Sequence, residues 1–293
     1  MMNRRTFLGT GTAAGSVLLS QRLGWASESQ RIEKIGVQLY TVRDAMKQDF
    51  EGSIAKVAKI GYREVEFAGY FDRTPQQVRA VLNNNGLTAP SMHIDYASLG
   101  EKWAKVVEAS AIIGHKYIVC PWIDDEVRKQ PGGWKRAAET FNKAAEVSKK
   151  SGIQFAYHNH DFEFVKVDGK FAYDLILEQT DANLVKMEMD LCWMTVAGQD
   201  PLKYFQRYPG RFPMVHVKDV TSVPPSEKAD EPVALDRVFP FMTEVGSGMI
   251  DWKRIFAHSG DAGIQHYFVE HDHPKDQFAS IGTSYKYLEA LRF

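Results

Sequence analysis

The chain has 293 residues, of which 44% are hydrophobic and 25% charged, an ordinary balance for a globular protein with a sizeable core. Net charge is −1. Setting aside Arg4, Arg5 and Arg22 leaves 33 basic against 37 acidic residues, so no basic face is implied and nucleic acid is disfavoured as the main partner. Two cysteines, Cys120 and Cys192, cannot make a disulfide framework and read as buried thiols acting as small hydrophobes.

The first element is an address. Arg4-Arg5 precede Thr6-Phe7-Leu8 and a mildly apolar, Gly- and Ala-rich run, the pattern of a twin-arginine export signal with a small-residue cleavage site near Ala26. Residues 1–26 are therefore expected to be removed, and the mature protein, 27–293, to be periplasmic. The apolar run is too short to span a bilayer, and no later stretch approaches that length, so no stable membrane insertion is expected.

From Ile35 onward short apolar runs alternate with amphipathic segments. Strands are expected at 35–41, 62–68, 88–94, 116–121, 153–159, 185–191, 212–218 and 265–271. Helices follow them at 52–60, 74–84, 99–113, 133–150, 172–179, 201–208, 252–262 and 277–291. Thr74-Pro75 supplies an N-cap and a first-turn proline. Gly61, Gly86, Gly114, Gly152 and Gly263 stand where helices must close before the next strand. Repeated strand-then-helix units imply a parallel sheet, and eight of them filling the mature chain fit a single closed (β/α)8 TIM barrel, an α/β fold. An open doubly wound sheet is weakened by the absence of a glycine-rich phosphate loop after the first strand. Residues 220–244 form one long polar insertion after the seventh strand, on the face where barrel active sites lie, and read as a lid.

Polar residues at the strand ends share parity within each strand. They are Glu64 and Glu66; Ser91, His93 and Asp95; His158 and His160; Glu188 and Asp190; His216 and Lys218; and Glu270 and Asp272. Taken singly, each has a bland reading as a hydrogen-bonded or ion-paired interior residue. Converging at one mouth, they need a compensating charge. A divalent cation supplies it, and imidazole with carboxylate suits Zn2+, Mn2+ or Co2+.

The segments Tyr157-His158-Asn159-His160-Asp161-Phe162-Glu163-Phe164 and Val215-His216-Val217-Lys218-Asp219 carry a family pattern. Asp190-Leu191-Cys192-Trp193, Glu244-Val245-Gly246-Ser247-Gly248-Met249-Ile250-Asp251 and Phe268-Val269-Glu270 complete it. Over about 33–292 the chain resembles the sugar phosphate isomerase/epimerase group of the xylose isomerase-like barrels, with endonuclease IV as a distant relative. The resemblance implies one divalent metal held by His158, Asp190, His216 and Glu270. Many relatives have Glu at the position of His158, so a symmetric two-carboxylate proton shuttle is broken here. Trp193 stands where the nuclease branch has a further metal-binding His, which disfavours a multi-metal phosphodiesterase and suits stacking on a sugar ring. Glu66, His93, Trp122, Trp193 and Glu244 are expected to bind substrate.

The leading expectation is a metal-dependent isomerase or epimerase that abstracts a proton next to the carbonyl of a sugar or keto-sugar. Glu270, Lys218, Glu163 and His160 are the candidate acids and bases. Lys218 is expected to titrate near neutrality beside a cation, or else to be a salt bridge to Glu188 or Asp219. The alternatives are a lyase that cleaves an oxidised (3-keto) glycoside by β-elimination, and a non-catalytic sugar-binding barrel. Sugar phosphates are scarce outside the cytoplasm, so the substrate is expected to be an unphosphorylated small carbohydrate. Homo-oligomerisation is left open.

Overall fold

The structure, a computed structural model, describes residues 30–227 and 231–293; the expected export segment lies outside the described residues. Eight parallel strands close into a barrel in chain order. They are β1 (Ile35–Gln38), β2 (Glu64–Phe67), β3 (Thr88–His93), β4 (Tyr117–Cys120), β5 (Gln154–His158), β6 (Val185–Asp190), β7 (Met214–Val217) and β8 (His266–Val269). The principal helices are α1 (Phe50–Ile60), α2 (Pro75–Asn84), α3 (Trp103–Ile113), α4 (Gly133–Lys149), α5 (Ala172–Gln179), α6 (Pro201–Arg207), α7 (Trp252–Phe256) and α8 (Gln277–Ala290). All eight expected units are present. Among the described residues no helix is long and apolar enough to cross a membrane.

Local chemistry explains the boundaries. Thr74 and Gln77 form a reciprocal capping box at the start of α2, each side chain bonding the other's backbone N–H. The expected helix over 252–262 is two pieces, α7 and a turn at Ser259–Ala262, with His258 between them. A short helix, Leu191–Val196, directly follows β6 and was not expected. Asp190 starts it, because its carboxylate accepts the Trp193 N–H at 2.9 Å.

Two apolar layers result from the strand period. Outward-facing residues such as Val65, Tyr157 and Val215 pack beneath the helices in the main core. Inside the barrel, Val119, Ala156, Met214 and Phe268 form a separate small plug. Gly36 is required beside it: a Cβ there would meet the Phe268 ring at 2.6 Å. Above this plug the interior turns polar, and below it Glu64 pairs with His266 at 2.7 Å.

The described residues of the 220–244 segment lie at the C-terminal mouth. Asp219–Val220 pairs antiparallel with Met242–Thr243, Val233 and Val238 are buried, and Phe239 packs 4.2 Å from the His273 ring. Asp219 anchors this region. Its Oδ2 accepts the Gly246 N–H at 2.9 Å, the Gly248 N–H at 3.2 Å and the Trp252 indole N–H at 3.0 Å. Its Oδ1 accepts the Val220 N–H at 3.0 Å and the Ile250 N–H at 3.3 Å. That carboxylate explains one glycine, since a Cβ on Gly248 would sit 2.1 Å from Asp219 Oδ1; Gly246 is required by its φ of +88° and by the Tyr287 ring, 2.3 Å from where a Cβ would lie.

Candidate metal centre and active site

The strand register stacks the polar residues at one level. Gln38 pairs with Glu66, Glu66 with Ser91, His158 with Glu188 and Asp190 with His216. Because β-strands alternate faces, each of these side chains enters the barrel just above the apolar plug.

The lower tier is a closed hydrogen-bond set. Glu66 accepts from the Ser91 hydroxyl, from Gln38 Nε2 at 2.8 Å and from His216 Nε2 at 2.7 Å. His93 stacks on the His216 ring, centroids 5.2 Å apart. Its Nε2 lies 2.7 Å from Glu188 and 3.2 Å from Glu66. Glu188 also meets His158 Nδ1 at 3.2 Å. Burial disfavours charge on His93, but Glu66 and Glu188 outweigh it and push its pKa up to about 9. Burial likewise opposes the Glu66 carboxylate, yet His93 and His216 hold it well below the usual range.

The upper tier contains His158, Asp190, His216, Lys218, Glu270 and Asp272. His216 Nδ1 faces Glu270 at 2.8 Å and Asp190 at 3.9 Å. His158 Nε2 faces Asp190 Oδ2 at 3.6 Å. Glu66 and Glu188 thus occupy one nitrogen of each imidazole, and the other nitrogen of each turns toward Asp190 or Glu270. Carboxylates placed behind metal-ligating histidines do this, fixing ring orientation and tautomer. One candidate ligand atom each from Asp190, His216 and Glu270 lies within 4.8 Å of the others. His158, His93, Glu188 and His216 form a second such group, so His216 is common to both tiers.

Lys218 is buried in the same cavity. Its Nζ lies 2.7 Å from Glu270, 3.2 Å from Asp190 and 3.2 Å from Asp272. The expected partners Glu188 and Asp219 are not the ones it meets, because the Lys218 side chain enters the barrel while Asp219 faces the loop beyond it. Burial disfavours the ammonium, but Asp190, Asp272 and Glu270 overcome that and raise its pKa well above the usual lysine value. The three carboxylates favour a charged Lys218, and a cation at this site would oppose them. For Glu270, burial opposes the carboxylate, and Lys218 and His216 together pull its pKa well down. Five carboxyl groups here surround one ammonium and three imidazoles, a surroundings short of positive charge. Glu188 Oε1 is buried and accepts no hydrogen bond among the described residues, and Asp190 Oδ2, also buried, has the Lys218 ammonium at 3.2 Å and His158 Nε2 at 3.6 Å. The donor set and the unpartnered Glu188 oxygen fit a divalent cation.

An aromatic roof covers the β4 to β6 side. His160 lies 5.1 Å from Trp122, 5.5 Å from Phe162 and 5.5 Å from Trp193, ring centre to ring centre. Its Nδ1 is buried without a partner among the described residues, and burial with nearby Lys218 holds its pKa well below the usual histidine value. Trp193 was expected as an open stacking surface. It is instead 1% exposed, 5.8 Å from Lys218 Nζ, with an unpartnered indole N–H. It neighbours both His160 and Lys218.

Three expected site residues stand apart from the reacting cavity. Glu66 lies behind His216 and orients it. Glu163 turns outward: it accepts from the Tyr157 hydroxyl and from the His160 backbone N–H at 2.9 Å, because Tyr157 is on the outer face of β5. Burial pushes its carboxyl up to about 8, against those two hydrogen bonds. Glu244 sits by the Thr243 hydroxyl and 4.0 Å from His271, whose own ring faces Ser280 of α8 on the outside of the barrel. Gln38 was missed by the sequence reading, although its shared parity with Gly36 pointed inward. Two other cavities, of about 240 and 460 Å3, open at the opposite mouth around His266 and touch none of this cluster.

Comparison with known proteins agrees with this architecture. An inosose dehydratase from Geobacillus kaustophilus is 28% identical over 233 residues, 70% of this chain and 73% of that protein. Another from Lacticaseibacillus casei is 26% identical over 268 residues, covering 82% and 89%. The crystal structure of a sugar phosphate isomerase/epimerase from Parabacteroides distasonis superposes with a TM-score of 0.73 at 26% identity, covering 91% of this chain and 96% of that one. These relatives are enzymes, in keeping with an enzyme here rather than a bare binding barrel. The family model for the xylose isomerase-like TIM barrel matches residues 54–291, and the chain belongs to that family.

Proposed function

We propose that this protein is a metal-dependent lyase that removes water or an alcohol from a cyclic polyol ketone by β-elimination. The observation that carries the reading is the placement, beside Trp193, of an imidazole with an unpartnered ring nitrogen, His160, and a buried amine, Lys218, within 3.2 Å of three carboxylates. Neighbouring groups whose environments push their pKa values apart make an acid and a base. The two dehydratase relatives point to the same reaction class, so the elimination reading replaces isomerisation as the leading one. The site also holds no two carboxylates placed as a symmetric shuttle, since His158 takes one of those positions and Glu163 turns away.

In this reading His158, Asp190, His216 and Glu270 hold the cation. When bound it supplies positive charge opposite the negative charge that develops on the substrate's carbonyl oxygen. His160 takes the proton from the carbon beside the carbonyl. The electron pair left behind forms a carbon–carbon double bond, and the C–O bond at the next carbon breaks with its pair going to oxygen. Lys218 gives that oxygen a proton, so it departs as water or an alcohol. Asp272 holds the Lys218 ammonium in place, and Glu163 fixes the backbone of His160. The roof of Trp122, Phe162 and Trp193 excludes water.

The isomerase or epimerase reading keeps support from the Parabacteroides structure. One experiment separates them. Metal-loaded protein is incubated with 2-keto-myo-inositol in D2O and followed by NMR and ultraviolet absorbance. Elimination predicts a product one water lighter with conjugated absorbance. Recovery of an isomer that keeps every oxygen would refute it.

A further inference from the structure

A cavity of about 290 Å3 opens at the same mouth as the acid cluster, on the side of β1 and β2, lined by Leu39, Tyr40, Arg43, Lys47, Ala68 and Phe71. That volume is at the lower end for small-molecule clefts. We infer that this cavity is a second subsite that takes a neutral hexose ring, the leaving-group portion of a glycosidic substrate.

Four observations build it. Tyr40 is 40% exposed and lines the cavity. The weakly positive C–H face of a sugar ring complements the negative face of an aromatic one. The Arg43 guanidinium lies 4.0 Å from the Tyr40 ring centre and packs on one face of the ring. Its Nη1 donates to the Tyr40 and Asp272 carbonyls at 2.8 and 2.9 Å, and its remaining N–H groups have no partner among the described residues, leaving donors for hydroxyls. Phe71 has φ +50° and Asp72 φ +62°. Left-handed backbone at two successive non-glycine residues is costly and holds Phe71 in the cavity wall.

Charge favours a neutral ring over an anion. Lys47 is paired with Asp44 at 3.2 Å, and the Arg43 guanidinium is applied to a ring and two carbonyls. The subsite also adjoins the chemistry. The Asp272 residue whose carbonyl accepts from Arg43 carries the carboxylate 3.2 Å from Lys218 Nζ, and Leu39 follows Gln38, which bonds Glu66. The cavity is thus joined to the acid cluster through Asp272 and through the Leu39–Gln38 step of the chain. The role of the bound ring as leaving group rests on the elimination reading; its binding does not.

The test uses the full chain with Mn2+ and two readouts. Calorimetry measures cellobiose binding to the wild type, Tyr40→Ala and Tyr40→Phe. Kinetics measure the ratio of kcat/KM for 3-keto-cellobiose to that for 2-keto-myo-inositol. The subsite predicts at least tenfold weaker cellobiose binding in Tyr40→Ala, near wild-type binding in Tyr40→Phe, and a ratio at least tenfold lower in Tyr40→Ala. Weakened binding with no turnover of either ketone keeps the subsite and overturns the elimination. No cellobiose binding to the wild type at millimolar concentration, or equal binding by folded Tyr40→Ala, overturns the subsite.

Discussion

Glu66→Gln is the perturbation whose consequence the geometry states most fully. Glu66 does not face the proposed cation; it accepts from Ser91, Gln38 and His216 and lies 3.2 Å from His93. The amide keeps the shape but replaces one acceptor oxygen with an NH2 group. Turned with its NH2 toward Ser91, whose hydroxyl can accept, the amide still offers an oxygen to Gln38 and His216. His216 then keeps only a neutral acceptor in place of the carboxylate that orients its ring and raises its basicity with Nδ1 toward Asp190 and Glu270. Removing a carboxylate behind a metal-ligating histidine weakens metal affinity about 10- to 100-fold, or about 1.4 to 2.7 kcal/mol at 1.36 kcal/mol per decade. Titration of the metal-free protein with Mn2+ against a competing chelator measures this. A Glu66→Gln affinity within twofold of wild type, in a protein with unchanged far-ultraviolet dichroism, would refute the assignment of His216 Nδ1 as a ligand.

Three other outcomes follow from the same geometry. Lys218→Met should lower turnover by about 10²- to 10⁴-fold, the span for a general acid, with metal still bound by elemental analysis; wild-type turnover per folded molecule sinks the acid role. Gly248→Ala puts a methyl against Asp219 Oδ1, and overpacking of this kind costs about 1–3 kcal/mol, so denaturant unfolding should show that loss. His115 gives a pH dependence: its Nδ1 donates to the Ala89 carbonyl at 2.6 Å, its Nε2 accepts from the Tyr70 hydroxyl at 2.9 Å, and burial lowers its pKa to about 4. The unfolded chain binds that proton first, so the stability is present above about 6.5 and is lost as pH falls toward 4, by about 3 kcal/mol for that group. Thermal melts across this window should fall more steeply for the wild type than for His115→Gln, and parallel curves would contradict it.

The barrel was legible because its signals are local and repeated. Each βα unit carries its own apolar run and amphipathic helix, and the capping box at Thr74 or the closing turn at Gly114 depends on a few neighbouring residues. The inward set at the strand ends was legible for the same reason, since period-two parity needs no knowledge of the partner strand. Parity says which face a side chain enters, not which neighbour it meets. That is why Glu66 reads as a substrate contact and is found behind His216. It is also why Lys218 was paired on paper with Asp219, one residue away in sequence and on the opposite face. Beyond the last strand residue the period is lost altogether. Glu163 and Glu244 sit in such segments, and their directions are set by Tyr157 and His271, contacts a linear pattern does not contain. Trp193 was placed by motif at the mouth, but the short helix begun by Asp190 carries it inside.

The central claim is that two carboxylate-oriented histidines and two acids share one cation. Anomalous diffraction from crystals soaked in Mn2+ tests it most directly. The account predicts a single strong peak within bonding distance of His158 Nε2, Asp190, His216 Nδ1 and Glu270, with the Lys218 ammonium moved off Asp190 and Glu270. A peak held by the lower tier of Glu66, His93 and Glu188, or no peak with the Lys218 contacts unchanged, would contradict it.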